Sequence, residues 1–420
     1  MKKRRTLILT LSALLCVFCV FFAYLIHAPR QAQLDHALIA AIKRNDIPSA
    51  LSLLKQGADS NARDTGDKPP SFQQALADMG DRILYRSDSA NRANPPTALI
   101  LFLKLHIPYA YYDIPPPLSP SEHAAFIQAL LEHGAKPDIQ IEGQALPLVL
   151  AARSWRPESV RILLNHGCNP NDSKRDGLCP LAAAAGAGDL VTTRLLLDHG
   201  AEVNSGDSDL VKPLMCAVRS GKVALVRLLL EQGANPNGTH ALSTASARGN
   251  EQMIQLLLSY FAKDDGQPSV YYAIAGEDPD EEPVHHIEIA RMLLAYGCSA
   301  NTEGPVDHQT ALFPANAEET QLLVNNGANP NVESSRKVTP LIMAAYYGDV
   351  EKARWLLGAG ANPNYKSPYG TPLDIAAGRY NAIRRRDPAM IARLRWRGAK
   401  TSEELDHDAK GINTAGSKLE

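Results

Sequence analysis

The sequence predicts an all-α solenoid of about ten helix-turn-helix repeats with short hairpin fingers, behind one N-terminal transmembrane helix. Three observations predict this fold. A Leu-Leu-x-x-Gly segment recurs along the chain, Thr-Pro-Leu or a variant recurs in step with it, and an apolar stretch follows four basic residues at the N-terminus. With 45% apolar and 21% charged residues among 420, the chain can bury a core. Stacked repeats also explain how one domain exceeds the usual size.

The charge balance argues against nucleic acid as a partner. The chain has 43 Lys and Arg against 45 Asp and Glu, which gives a formal net charge of −2 at pH 7. A nucleic-acid-binding domain usually carries a basic field, and the whole chain carries none. Any charged partner must therefore be sought from local groups of residues.

The N-terminus has the pattern of a membrane anchor. Four basic residues at positions 2–5 precede Thr6–Ile26, an uncharged segment of 21 residues. A helix of that length is about 30 Å long, enough to cross the hydrocarbon core of a bilayer. A cleaved signal peptide is the alternative, but its apolar region is usually shorter and Pro29 follows the best cleavage site. We therefore assign residues 1–30 to an uncleaved signal anchor. The positive-inside rule places the N-terminus in the cytoplasm and the repeats outside it, in the periplasm if the cell is bacterial.

A glycine recurs at a fixed spacing. Gly134, Gly167, Gly200 and Gly233 are each 33 residues apart, and each ends a Leu-Leu-x-x-Gly segment. The same position recurs at Gly57, Gly297, Gly327, Gly360 and Gly398. An Ala-x-x-Asn signature follows five of these glycines, as in Ala328–Asn331. A repeated unit of this length indicates a solenoid.

Each part of the repeat has a physical role. The threonine of Thr339-Pro340-Leu341 is suited to cap a helix, and proline fits the first helical position. A glycine such as Gly348 then ends the first helix, and the recurring glycine supplies a left-handed residue after the second. The asparagine-containing finger turns the chain back toward the next repeat.

These motifs resemble the ankyrin repeat, with ten copies across residues 34–401 and a repeat domain over 31–401. The sixth copy has Phe261 at the glycine position, and the eighth has a truncated first helix that contains Pro314. We expect a kink or offset in the stack there. Residues 402–420 are acidic and aperiodic, which predicts a disordered tail.

Three insertions interrupt the repeats, near residues 64–96, 104–121 and 277–286. The second contains Tyr109, Tyr111 and Tyr112 beside three prolines, which is typical either of a binding knob or of a loop packed on its own repeat. The third is rich in carboxylates, and we interpret it as a solvated acidic turn rather than a metal site because no ligand spacing matches.

No catalytic or cofactor-binding motif is present in the sequence, so we predict a protein that is not an enzyme and binds no cofactor or metal. His133, His166 and His199 recur at helix ends, where cations complement the helix dipole. Cys168 and Cys179 are the one pair that merits a test for a disulfide.

The resemblance implies protein binding on the concave side, through the fingers and the first helices. The two residues before the glycine of each first helix border that side, and they form a basic set with an aromatic centre. Their arginines either complement helix dipoles or engage an acidic protein partner. The candidate binding residues are Arg44, Arg153, Arg219, Arg248, Tyr346, Tyr347 and Arg379, with Tyr109, Tyr111 and Tyr112.

The resemblance therefore implies a non-catalytic, membrane-tethered scaffold for protein–protein interaction, similar to ankyrin proteins of the bacterial envelope. Two other functions stay open. One is an envelope receptor for a small molecule or a cell-wall fragment, and the other is an immunity protein that neutralises a toxin.

Overall fold

The computed structural model describes most of the chain. The described residues are 30–64, 96–105, 118–141, 145–173, 177–206, 208, 211–238, 240–263, 266–276, 285–305, 307–378 and 387–408. The chain divides into two compact units, Met1–Ser220 and Gly221–Glu420, and each unit is described by itself.

The first unit consists of helix pairs. The first helices of successive repeats are residues 30–43, Ala98–Leu105, Pro147–Ala152, Pro180–Ala187 and Pro213–Ser220. The second helices are Ile47–Lys55, Pro120–Glu132, Pro157–Asn165 and Leu190–Asp198.

The second unit continues the same pattern. Its first helices are Ala241–Ala247, Ser269–Ala275, Pro340–Tyr347 and Pro372–Ala376. Its second helices are Val223–Glu231, Glu251–Ser259, Ile287–Ala295, Ala317–Asn325, Val350–Gly358 and Pro388–Trp396. The predicted all-α repeat architecture is confirmed over the described residues.

The helix boundaries follow the sequence signals. Thr339 and Thr371 cap helices that begin with proline, and each threonine Oγ1 accepts a hydrogen bond from a backbone N–H three residues on. Cys179 occupies the equivalent position, where its Sγ accepts from Ala182 N at 3.3 Å. Gly188 and Gly348 end first helices in the left-handed conformation. The repeat motif therefore sets both ends of the first helix.

Side-chain bonds from the fingers connect consecutive repeats. Asn331 Nδ2 donates to Gly360 O at 3.0 Å, and Asn331 Oδ1 accepts from Asn362 N at 2.7 Å. One asparagine thus satisfies a carbonyl after the second helix of the next repeat and an N–H of that repeat's finger. The same two bonds are made by Asn61, Asn171, Asn301 and Asn364. We call these five residues the asparagine ladder.

The helix at residues 30–43 supplies the ladder's missing first member. Gln31 Nε2 donates to Gly57 O at 2.8 Å, and Asp35 Oδ1 accepts from Asp59 N at 2.8 Å. These two bonds match those of a ladder asparagine, but they come from two helical side chains. Gln31 and Asp35 therefore take the place of a ladder asparagine at the first repeat.

The first predicted insertion departs from one finger and returns to it. Arg63 and Thr97 form an antiparallel bridge, and Asp64 N donates to Pro96 O at 3.0 Å. Most of the predicted insertions lie outside the described residues, at 65–95, 106–117 and 277–284, as does the remainder of the acidic tail at 409–420. Residues 402–408 differ from the predicted disordered tail, because they are helical and Arg395 pairs with Glu404 through both carboxylate oxygens at 2.8 Å.

The predicted membrane topology requires correction. Helices in the described residues have at most 14 residues, at 30–43, and none is long and apolar enough to cross a membrane. The segment Thr6–Ile26 lies outside the described residues. Over the described residues the fold class is therefore corrected to an all-α repeat fold, and the prediction of a transmembrane helix is withdrawn. The predicted single-pass location, with a cytoplasmic N-terminus and the repeats outside the cytoplasm, is withdrawn with it.

The sixth repeat keeps the recurring turn despite its substitution. Phe261 adopts a φ of 60°, the left-handed conformation that glycine takes in other repeats, and its side chain is 77% exposed. This conformation costs about 1–2 kcal/mol for a residue with a Cβ atom. The fold therefore tolerates Phe261 rather than requiring it.

The eighth repeat has a truncated first helix, as the sequence predicts. Residues 311–314 form turns, and the next helix begins at Ala317. Lys352 from the following repeat is 5% exposed, and its Nζ donates to Phe313 O at 2.8 Å and Ala315 O at 2.7 Å. The lysine satisfies two carbonyls that the shortened helix cannot bond. The predicted kink in the stack stays a prediction.

Burial also changes the acidity of this lysine. Desolvation lowers the pKa of Lys352 to about 8 from an ordinary value of 10.5, although the charges of Asp349 and Glu319 oppose the shift. The Lys352 ammonium is therefore held at an electrostatic cost because it is needed as a donor.

We expect Phe261→Gly to raise the free energy of unfolding by about 0.5–1 kcal/mol, because relief of the left-handed strain exceeds the entropy cost of glycine. Urea unfolding of the full chain measures the change. Phe261→Ala is the control, since it removes the ring but keeps the strained Cβ atom. A larger loss for Phe261→Ala than gain for Phe261→Gly would show that the ring itself stabilises the repeat.

We expect the stability of the parent chain relative to Lys352→Met to rise between pH 8 and 10.5. The folded-state pKa lies below the unfolded-state value, so the unfolded chain binds the proton more tightly over this interval. The relative gain should total roughly 3 kcal/mol. The difference in free energy of unfolding is measured by urea unfolding, with the fluorescence of Trp355 as the signal near Lys352. The exposed Trp155 and Trp396 are replaced by Phe in both proteins so that Trp355 is the one fluorescent tryptophan. A pH-independent difference would mean that Lys352 titrates at its ordinary pKa.

Candidate functional site

Two tyrosines project from the end of a first helix in the second unit. Tyr346 and Tyr347 form the last turn of Pro340–Tyr347 and are 39% and 60% exposed. Their ring centroids lie 5.2 Å apart at an interplanar angle of 83°. This edge-to-face pair presents an aromatic surface at the position where the sequence predicts a binding face.

The truncated eighth repeat leaves the space in front of these tyrosines. In the ninth repeat the second helix starts at Val350, eleven positions after the capping Thr339. In the eighth repeat the second helix starts at Ala317, only seven positions after Thr310. The difference of four residues is about one helical turn, or roughly 5.4 Å of helix. Among the described residues, the eighth repeat therefore has no full-length first helix beside the last turn of Pro340–Tyr347.

A cavity of about 700 Å³ occupies this part of the second unit. Such a volume is within the range of pockets that hold small ligands. Aromatic rings and aliphatic side chains form most of its wall, and polar groups from the fingers and from Asp387 form the rest. The lining includes Phe313, Val338, Ile342, Met343, Tyr346, Tyr347, Tyr369, Asp307, Arg336 and Asp387.

Two fingers form one side of the cavity and are bonded to each other. Arg336 Nε lies 3.0 Å from Asp307 Oδ2, and Ser335 N donates to Asp307 O at 2.8 Å. Asp307, His308 and Lys337 adopt positive φ angles of 55°, 55° and 57°. This conformation costs free energy for residues with a Cβ atom, so the contacts between the fingers must stabilise it. The cavity is therefore preformed on this side.

The structure places the predicted arginines at the ends of first helices. In the first unit Arg44 and Arg219 are exposed, and Arg153, which follows the helix Pro147–Ala152, is half-buried. In the second unit Arg248 follows Ala241–Ala247 and is exposed. All four lie where a cation is favoured by the helix dipole. Arg379, Tyr109, Tyr111 and Tyr112 lie outside the described residues.

The sequence interpretation missed the finger contribution to the cavity. Tyr369, Asp307 and Arg336 come from loops that carry no helical periodicity, and Phe313 lies in the truncated helix. The shortened interval before Ala317 was the available signal. This interval predicts a kink, but a deleted turn also uncovers the helix beside it.

His133, His199 and Cys168 each contact a backbone carbonyl oxygen within the fold. His133 Nδ1 and His199 Nδ1 each lie 2.8 Å from the carbonyl oxygen four residues earlier, at the end of a second helix. Cys168 and Cys179 are both free thiols, so these two described residues do not form the disulfide for which the sequence singled them out. Cys168 Sγ donates to Pro137 O, and burial raises the pKa of this thiol to about 12. Such a thiol has little nucleophilic character.

Within the described residues, no group of three or more His, Cys, Asp or Glu side chains is arranged to hold a metal ion.

Comparison with known proteins identifies the repeats. The family model for ankyrin repeats in three copies matches residues 148–240 and 214–304, and the model for ankyrin repeats in many copies matches residues 323–376. No curated protein matches the chain. Together the matched residues make up half of the sequence and include the helices that form the cavity. The chain belongs to the ankyrin-repeat family.

Proposed function

We propose that this protein is a non-catalytic interaction module that binds a protein partner through the ends of its first helices and its fingers. Ankyrin repeats in general indicate protein–protein interaction. The observation that carries the finer proposal is the cavity beside Tyr346 and Tyr347.

Exposed aromatic rings support this location. Large aromatic side chains in a concave setting are frequent anchors in protein interfaces, because they bury much apolar area with few rotatable bonds. Tyr346, Tyr347 and Tyr369 are 39–60% exposed and lie around one cavity. They are positioned to bury their rings against a partner.

The arginines support an acidic partner. Within the first unit Arg44, Arg153 and Arg219 recur at first-helix ends, and Arg248 does so in the second unit. A guanidinium can bond a carboxylate through two N–H groups. Dipole complementation alone would place cations at the same positions, so the arginines require a direct test.

A receptor for a small molecule is the second candidate function. The cavity volume favours it, since about 700 Å³ is enough for a compact ligand. Ligand-dependent thermal stabilisation would support this alternative, because a ligand bound to the folded state raises its stability by mass action.

We expect Arg153→Glu/Arg219→Glu/Arg248→Glu to lose one partner that the parent captures from cross-linked cells, with recovery reduced about tenfold or more. The measurement is quantitative mass spectrometry on the tagged full-length protein. The matched control is Arg161→Glu/Arg227→Glu/Arg291→Glu, which makes the same charge change at exposed positions on second helices.

A partner lost with the first triple variant and kept with the control supports binding at the first-helix ends. Equal recovery with both variants would mean that the arginines only complement helix dipoles.

A further inference from the structure

We infer that the cavity of the second unit receives one aromatic or long aliphatic anchor residue from an acidic peptide segment of the partner. This inference rests on the proposed function and specifies the chemistry recognised at one of its surfaces. It concerns residues of the second unit only.

The wall of the cavity is suited to an apolar anchor. Val338, Ile342 and Met343 lie beside the rings of Tyr346 and Tyr347. Burying an aromatic side chain removes much apolar area from water, and its ring can pack edge-to-face against tyrosine. The cavity is larger than one side chain, so it also accommodates the residues that flank the anchor.

The two carboxylates of the cavity wall are engaged within the fold. Asp387 Oδ1 accepts from Ala389 N and Met390 N at the start of the helix Pro388–Trp396. Asp307 is paired with Arg336 Nε at 3.0 Å. Both carboxylates therefore already have donors within the fold.

Arg336 keeps donors for a partner. A guanidinium has five N–H groups, and the ion pair with Asp307 uses Nε. The Arg336 side chain is 71% exposed, so its terminal nitrogens face solvent at the cavity mouth. A carboxylate of the partner can bond them while the Asp307 pair fixes the orientation of the group.

The cavity is rigid enough to select its occupant. Lys352 holds the carbonyls of Phe313 and Ala315, and the Asp307–Ser335 bond joins the two fingers. A preformed cavity reduces the ordering that binding must impose on the protein. Recognition then depends on the chemistry of the incoming segment.

Selection from a random peptide library displayed on phage tests the inference on the full chain. Counter-selection against Tyr346→Ala/Tyr347→Ala removes peptides that bind elsewhere. The expected consensus is an aromatic, Leu or Met residue flanked by Asp or Glu. An enriched basic consensus, or no enriched peptide, would overturn the inference.

Fluorescence polarisation with a labelled selected peptide then tests the two contacts separately. We expect binding to weaken at least tenfold with Arg336→Glu and with Met343→Trp, which narrows the cavity. Two control variants change exposed residues on second helices. Trp396→Ala removes a ring from Pro388–Trp396, and Arg291→Glu reverses a charge on Ile287–Ala295. Both controls should bind the peptide as the parent does. Equal binding by Arg336→Glu and the parent would contradict the charge assignment.

The two tests fail independently. If the peptide selection fails while partner capture still depends on the arginines, the proposed function stands and the cavity assignment falls. If the selected peptide behaves as expected while capture is unaffected by charge reversal, the cavity assignment stands and the arginines have no binding role.

Discussion

The asparagine ladder is the contact on which the repeat architecture depends. Each ladder asparagine bonds both a carbonyl and an N–H of the following repeat, as Asn331 does with Gly360 and Asn362. These bonds fix the position of one finger relative to the next by polar contacts of defined length. Apolar packing between helices is less directional, so the ladder sets the register in which that packing occurs.

Because the register is held at the fingers, the helices between them can change length. The pairing of Asn61 with Gly134 persists although a long insertion separates the two residues in sequence. Asn301 likewise bonds Gly327 on the other side of the truncated first helix. The ladder contact is therefore kept across the repeat that lacks a turn, and the cavity lies beside Tyr346 and Tyr347 of the following repeat.

Much of the fold was readable from the sequence because it depends on local signals. Thr339, Pro340 and Gly348 set helix ends through contacts within a few residues. The ladder asparagines were visible as a signature, but their role was not, because Asn331 bonds a backbone group 31 residues later. Lys352 was likewise hidden, since its carbonyl partners lie in another repeat. The cavity depends on such distant contacts, so only the shortened helix beside it could be predicted from the sequence.

Native-state hydrogen exchange of Asn331→Ala tests the dependence on the ladder most directly. We predict faster exchange at the Asn362 amide and a loss of about 1–3 kcal/mol in the free energy of unfolding, because two hydrogen bonds disappear. Asn325→Ala is the matched control, since this asparagine is exposed on the adjacent second helix and outside the ladder. Equal exchange and equal stability in the two variants would contradict the account.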